Sequence, residues 1–271
     1  MPSKFLLFSF SLLVLALAAC GTDDAKTTQP EESADVLYNK AAAALDEKNY
    51  NNATKLFEEV ERQHPYSQWA TQSQLMAAYS SYQGQHYDEA VLALDRFIEL
   101  HPGHKDVDYA HYLRALCYYE QISDVRRDQE MTRQAVESLD VLIRRFPESR
   151  YSRDATLKKD LTMDHLAGKE MEVGRYYLQR GNVGAAINRF RTVVKDYQTT
   201  THIPEALHRL VEAYMIVGLK PEALRVAAVL GHNYPGSKWY ERSFKLMDPE
   251  MRKQLENEGD WVDRTLESLF K

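Results

Sequence analysis

Ala53, Ala90, Ala135 and Ala223 each stand twelve residues before a proline, namely Pro65, Pro102, Pro147 and Pro235. Ala186 leads over the same distance to Gln198, just after Tyr197, without a proline. Four residues past each alanine comes Phe57, Leu94, Leu139, Phe190 or Ala227, on the same face of a helix. Proline lacks an N–H and clashes with the preceding turn, so each interval reads as a helix with a fixed end. Twelve residues upstream of Ala53, Ala90, Ala186 and Ala223 stand Ala41, Ala78, Gly174 and Val211, which place a first helix before the second. Gly84, Gly181 and Gly218 fall in the turn between the two, and Tyr177 and Tyr214 hold matching places on the first helix.

Ala53 to Ala90 is 37 residues, and so is Ala186 to Ala223; the intervals of 45 and 51 between them carry insertions of 8 and 14. The first insertion lies in ISDVRRDQEMT, between the helices of the third unit. The second lengthens Ser152 to Arg180, which has no proline and reads as one long helix with weak points at Gly168 and Gly174, each costing about 1 kcal/mol against alanine. The pattern resembles the tetratricopeptide repeat: helices approach where side chains are small, and a larger residue one turn on fills the gap to the next unit. The expected fold is all-α, a tetratricopeptide-like α-solenoid of about five helix-pair repeats. Eleven glycines and nine prolines in 271 residues agree with few breaks.

Ahead of the repeats, MPSK precedes an apolar run from Phe5 to Ala19, too short to span a bilayer and built like a secretory signal. Leu17-Ala18-Ala19-Cys20 resembles the bacterial lipobox, in which the thiol and the new amino terminus are acylated. Each buried methylene contributes about 0.8 kcal/mol, and two or more chains anchor stably. Gly21 after the cysteine, in place of Asp, resembles a signal for outer-membrane export. Residues 21–33 contain no large apolar side chain and read as a tether. The expected layout is a signal peptide over 1–19 and an acylated Cys20 with tether over 20–33. Repeats one to three follow over 34–150. A long connecting helix over 151–180 includes the first helix of repeat four. The rest of repeats four and five covers 181–240, and a tail covers 241–271. The tail carries Trp261, Val262, Leu266, Leu269 and Phe270, which fit either a cap on the last unit or a helix for a partner.

A formal charge of −6 argues against nucleic acid as a partner. No Gly-rich phosphate loop, His-Glu-x-x-His or G-x-S-x-G motif occurs. His101, His104 and His111 are the tightest histidine cluster, but two of them flank the Pro102-Gly103 turn, where polar residues are expected anyway. Asp160, Asp164 and His165 sit beside Lys158 and Lys159, as on a solvated helix face. Cys117 reads as a buried structural thiol. The expectation is therefore a binding protein, not an enzyme, with no cofactor and no metal. Tyr66, Trp69, Tyr79 and Tyr82, with Arg96 and Arg114, concentrate around the first two units. They fit either packing between repeats or a groove for an extended peptide.

The stretches HPYSQWATQSQLMAAYSSYQGQHYDEAVLALDRFIELHPGHKDVDYAHYLRAL and DHLAGKEMEVGRYYLQRGNVGAAINRFRTVVKDYQTTTHIPEALHRLVEAY, with NYPGSKW, resemble the BamD family of lipoproteins of the outer-membrane barrel assembly machinery. That resemblance implies a periplasmic scaffold held to the outer membrane by lipid, helping BamA insert β-barrel proteins alongside other lipoproteins of the machinery. It implies that the surface near His64, Pro65 and Tyr66 receives the signal strand of unfolded barrel substrates. It also implies that Arg189, in AAINRFR, docks a POTRA domain of BamA. Other repeat lipoproteins, such as a secretin pilotin or a cell-wall coordination factor, remain alternatives, as does an envelope hydrolase with helical repeats.

Overall fold

The computed structural model describes residues 32–257, all of whose regular elements are α-helices. The signal peptide, Cys20 with nearly all of the tether, and the tail residues Trp261, Val262, Leu266, Leu269 and Phe270 lie outside the described residues. Five helix pairs follow one another. They are α1 (Ala34–Asp46) with α2 (Tyr50–Gln63), α3 (Gln68–Gln83) with α4 (Tyr87–Leu100), and α5 (Val107–Tyr119) with α6 (Glu130–Arg145). Next come α7 (Ser152–Gln179) with α8 (Val183–Asp196), and α9 (Ile203–Ile216) with α10 (Lys220–Asn233). Two short helices complete the described chain, α11 (Lys238–Leu246) and α12 (Pro249–Asn257). The chain divides into two compact units, one up to Ser73 and one from Gln74.

The same contact recurs in both units. Ala53, Ala90, Ala135, Ala186 and Ala223 are fully buried, and so are Phe57, Leu94, Leu139, Phe190 and Ala227 four residues on. The helices that carry them all end ten residues past the alanine, at Gln63, Leu100, Arg145, Asp196 and Asn233. The small residues on the first helices, Ala41, Ala78, Gly174 and Val211, are buried as well. In the second unit one core gathers Leu75, Ala78, Leu94, Phe97, Leu113 and Cys117. Another gathers Ala115, Leu139, Leu142 and Ala155. A third, around Met171, Phe190, Leu207, Val211 and Leu230, continues to Met247 and Met251, so α12 adds Met251 to the last core.

Four of the pairs turn in one way. Three residues join the helices, and the middle one has a left-handed backbone: Lys48 (φ 60°), Gln85 (φ 62°), Gly181 (φ 76°) and Gly218 (φ 80°). Gly84 lies one place too early, so in the second pair the left-handed position falls to Gln85. The next residue donates its N–H five residues back, Asn49 to Ala44 (2.8 Å), His86 to Ser81, Asn182 to Tyr177 and Leu219 to Tyr214 (2.9 Å each). This closes the first helix as a Schellman turn. The carbonyl of that same residue then accepts the N–H of Ala53, Ala90, Ala186 or Ala223 at 2.9–3.1 Å and opens the second helix.

The second helices also stop in one way. His64, His101, Phe146, Tyr197 and Tyr234 leave helical geometry with φ between −128° and −137°. The residue before a proline is pushed toward extended backbone, which accounts for four of the five. Each carbonyl then accepts an N–H three residues on, from Ser67, His104, Ser149, Thr200 or Ser237, at 3.0–3.1 Å. Tyr197 turns the same way before Gln198, so this stop does not need the ring.

Two stability outcomes follow. Helix propensity alone predicts that Gly174→Ala gains about 1 kcal/mol. A Cβ there would lie 2.5 Å from Cε1 of Phe190, whose ring is fully buried. The expected result in urea unfolding is instead a net loss of about 1–3 kcal/mol; a gain would show that the ring gives way. Gln198→Pro places a proline where four sister turns carry one. It should stabilise by about 0.4–1 kcal/mol, and a loss would show that the fifth turn differs in backbone.

Candidate functional site

In the first unit, His64, Pro65, Tyr66 and Trp69 surround the stop between α2 and α3. His64 is fixed, its Nε2 lying 2.6 Å from the backbone oxygen of Glu32. Trp69 is half-buried, its ring 4.6 Å from Tyr38, which meets Phe57 edge-on at 5.4 Å. Trp69 therefore packs the unit. Tyr66 is the opposite case: it is wholly exposed at the tip of the turn, next to an exposed Pro65.

Tyr82, Arg96 and Arg114 belong to the second unit. Tyr82 is half-buried beside Tyr87, with ring centres 5.9 Å apart. Burial, then the nearby Glu120 carboxylate, push its phenol up to about 12. Arg114 Nε lies 2.7 Å from Asp95 Oδ1, close enough for an ion pair though not aligned as a hydrogen bond. Its guanidinium also stands 5.9 Å over the Tyr118 ring. Arg96 is exposed on α4. Tyr82 and Arg114 thus serve packing and local charge balance, while Arg96 faces solvent.

Arg189 stands on α8 with 45% of its side chain exposed, and its Nη1 donates to Glu170 Oε2 on α7 at 3.0 Å. The pair holds the guanidinium outward beside a carboxylate.

In the remaining clusters several side chains have structural partners. His101 Nε2 lies 2.8 Å from Gln74 Oε1, and His104 Nδ1 accepts the backbone N–H of Asp106 at 3.2 Å. His111 is buried against Phe146, with ring centres 5.3 Å apart. Among the described residues no three His, Cys, Asp or Glu side chains are grouped to hold a metal ion. Asp164 is more than a solvated charge: its Oδ1 accepts both the N–H (2.8 Å) and the hydroxyl (2.7 Å) of Thr201 and so anchors the turn before α9. Asp160 is exposed. Cys117 is buried in the core, and desolvation pushes its thiol up to about 12, as suits a structural cysteine.

In the sequence, ISDVRRDQEMT is legible only as extra spacing between two helices. In the structure its loop carries Arg126 and Arg127 onto a cleft with Lys169 and Tyr197. Two adjacent arginines inside an insertion were the available signal.

Residues 30–230 match the family model described as YfiO, outer membrane lipoprotein. The chain is 48% identical over 239 residues to the outer membrane protein assembly factor BamD of Caulobacter vibrioides, covering 88% of this chain and 78% of that protein. It is 49% identical over 211 residues to the protein of the same name from Rickettsia prowazekii, covering 78% and 84%. With that of Neisseria meningitidis serogroup A it shares 37% over 251 residues, covering 87% and 94%. No helix among the described residues is long and apolar enough to cross a membrane.

Burial, then the charges of Arg145 and Arg114, lower the His111 pKa to about 4, against 6.5 for an unperturbed histidine. His208 is buried too and shifts down for the same first reason. In the native state these imidazoles therefore stay neutral while in the unfolded chain they take up protons below about pH 6.5, so stability is lost as pH falls from about 6.5 toward 4. Thermal midpoints should fall across this window, and less steeply in His111→Leu. An unchanged slope in that variant would remove His111 as a source.

Proposed function

Because the chain belongs to the YfiO family of outer membrane lipoproteins, we propose that it is a lipid-anchored scaffold on the periplasmic face of the outer membrane that helps BamA insert β-barrel proteins. The observation that carries this reading is the 48% identity to a named assembly factor over 239 residues, a stretch long enough to take in the whole helix-pair array. The family description supports acylation at Cys20, where the lipobox-like Leu17-Ala18-Ala19 leads.

The work asked of such a protein is positioning, not covalent chemistry. In the first unit, the exposed Tyr66 beside Pro65 offers an aromatic face to an extended substrate segment. A large aromatic side chain gives such a segment apolar contact area on burial. In the second unit, Arg189 is proposed to dock a carboxylate of a BamA POTRA domain. Its intramolecular partner Glu170 takes a single hydrogen bond, from Nη1 at 3.0 Å, and the rest of the guanidinium fork can meet a carboxylate in paired hydrogen bonds. Acyl chains confine all of this to the membrane surface, which raises the effective concentration of captured substrate near the insertase without any new contact. Other lipoproteins of the machinery are expected in the same assembly.

The experiment is to tag the protein, solubilise the outer membrane and identify what co-isolates. BamA is expected; a secretin in its place would favour the pilotin reading and overturn this one. Arg189→Glu should keep the helical circular dichroism of the parent and reduce recovered BamA by about tenfold or more. Equal recovery would take Arg189 out of the interface.

A further inference from the structure

We infer that the insertion between α5 and α6 builds a carboxylate-binding cleft against α7 and α8, fitted to an acidic segment of a partner protein. This goes beyond the assembly role and rests on the cleft alone. The space is about 430 Å³. Its cations are Arg126, Arg127 and Arg133 on one wall and Lys169 on the other, and Leu166 and Tyr197 supply apolar surface between them.

The loop is already shaped for this use. Gln129 is buried, and its side-chain amide donates to the carbonyl oxygens of Asp124 (3.3 Å), Val125 (3.4 Å) and Arg127 (3.1 Å). Its own Oε1 accepts the hydroxyl of Thr132 at 3.0 Å. From α7, Lys169 Nζ donates to the carbonyl oxygens of Arg126 (2.8 Å) and Arg127 (3.2 Å). The loop backbone is thus tied down at both ends, which fixes where the two arginines leave the chain. A binding group held ready in this way loses little entropy when the partner arrives.

Part of this charge is not spent internally. Arg127 is exposed and has no ion-pair partner among the described residues. Arg126 is 77% exposed and meets Glu172 only at 3.6 Å. Lys169 is pinned by carbonyl oxygens, which leave its positive charge uncompensated. Only Arg133 has a close carboxylate, Glu130, at 2.8 Å. The cleft's own anions are Asp128 and Glu170, and Glu170 is engaged by Arg189 at 3.0 Å. The Tyr197 hydroxyl, protonated at neutral pH like any ordinary phenol, adds a donor to the cleft. In a chain of net charge −6, this local excess of positive charge is where an acidic partner would be steered.

The shape and chemistry of the site favour a carboxylate side chain over an anionic lipid surface. A recessed site with arginine forks over an apolar floor suits a side chain on a peptide, whereas a membrane meets a flat, lysine-rich patch.

The test uses the full mature protein and fluorescence anisotropy. The probes are a labelled Gly-Glu-Leu-Glu-Phe-Glu-Gly peptide and its counterpart with glutamine for every glutamate. The glutamate peptide should bind about tenfold tighter or better, and the Arg126→Gln/Arg127→Gln protein should lose that preference while melting at the same temperature. Absence of binding, equal affinity for both peptides, or an undiminished preference in the double variant overturns the inference. Phosphatidylglycerol vesicles are the third probe. Sedimentation with them that the double variant loses would assign the cleft to lipid and also overturn it.

Discussion

Four helix pairs of this protein turn back on themselves through three residues, the middle one with a left-handed backbone. In this protein that residue recurs five places before the buried alanine of the pair, at Lys48, Gln85, Gly181 and Gly218. The residue after it closes the first helix with its N–H and opens the second with its carbonyl. One short turn therefore sets both the direction of the returning helix and its register. Register in turn decides that Ala53 is buried with Ala41, Ala90 with Ala78, Ala186 with Gly174, and Ala223 with Val211. The turn has a cost where the residue is not glycine, about 1–2 kcal/mol for an ordinary side chain. Lys48 and Gln85 accept it, and the hydrogen bonds that satisfy the helix ends and the packing they make possible offset it.

Much of this was legible in the chain because a proline and an alanine report on distances along one helix. The interval from Ala53 to Pro65 depends on helix rise and on the conformational bias before a proline, both local effects. What the sequence did not disclose were contacts made by residues of ordinary type. Nothing marks Gln85 as left-handed when Gly84 stands next to it. Gly174 reads as a weak point by propensity, and only the closeness of the Phe190 ring turns it into a requirement. Among the candidate site residues, the aromatic count could not separate Trp69, which stacks on Tyr38, from Tyr66, which touches nothing comparable and stands in solvent. Aromatic side chains serve both roles, and burial is a tertiary property.

The third pair shows which part of the design can be changed. Its helices are joined by residues 120–129 and not by a three-residue turn, yet Ala135 and Leu139 are as buried as their counterparts. The packed face is therefore sufficient to keep the pair together once a longer connection supplies its own support, here the Gln129 side chain. Freed from setting register, the loop can carry exposed charge. This explains why the arginine pair lies in an insertion and not in one of the tight turns, where each position is committed to backbone geometry.

The long helix α7 settles how two such surfaces keep their spacing within the second unit. At 28 residues it spans about 42 Å. It enters one core through Ala155, beside Leu139 and Leu142, and the next through Ala167 and Met171. Lys159 pairs with Asp140 of α6 at 2.6 Å near its start, and Glu170 with Arg189 of α8 at 3.0 Å further on. A hinge between these cores would need the helix to break, and its glycines would be the places to do it. Gly174 is buried against Phe190, and a Cβ on Gly168 would already lie 3.2 Å from His202 Nε2. Both glycines therefore mark where a neighbouring side chain lies against the helix. Lys169 and Glu170 of this helix then brace both surfaces, Lys169 through the loop carbonyls of Arg126 and Arg127 and Glu170 through the Arg189 guanidinium on α8.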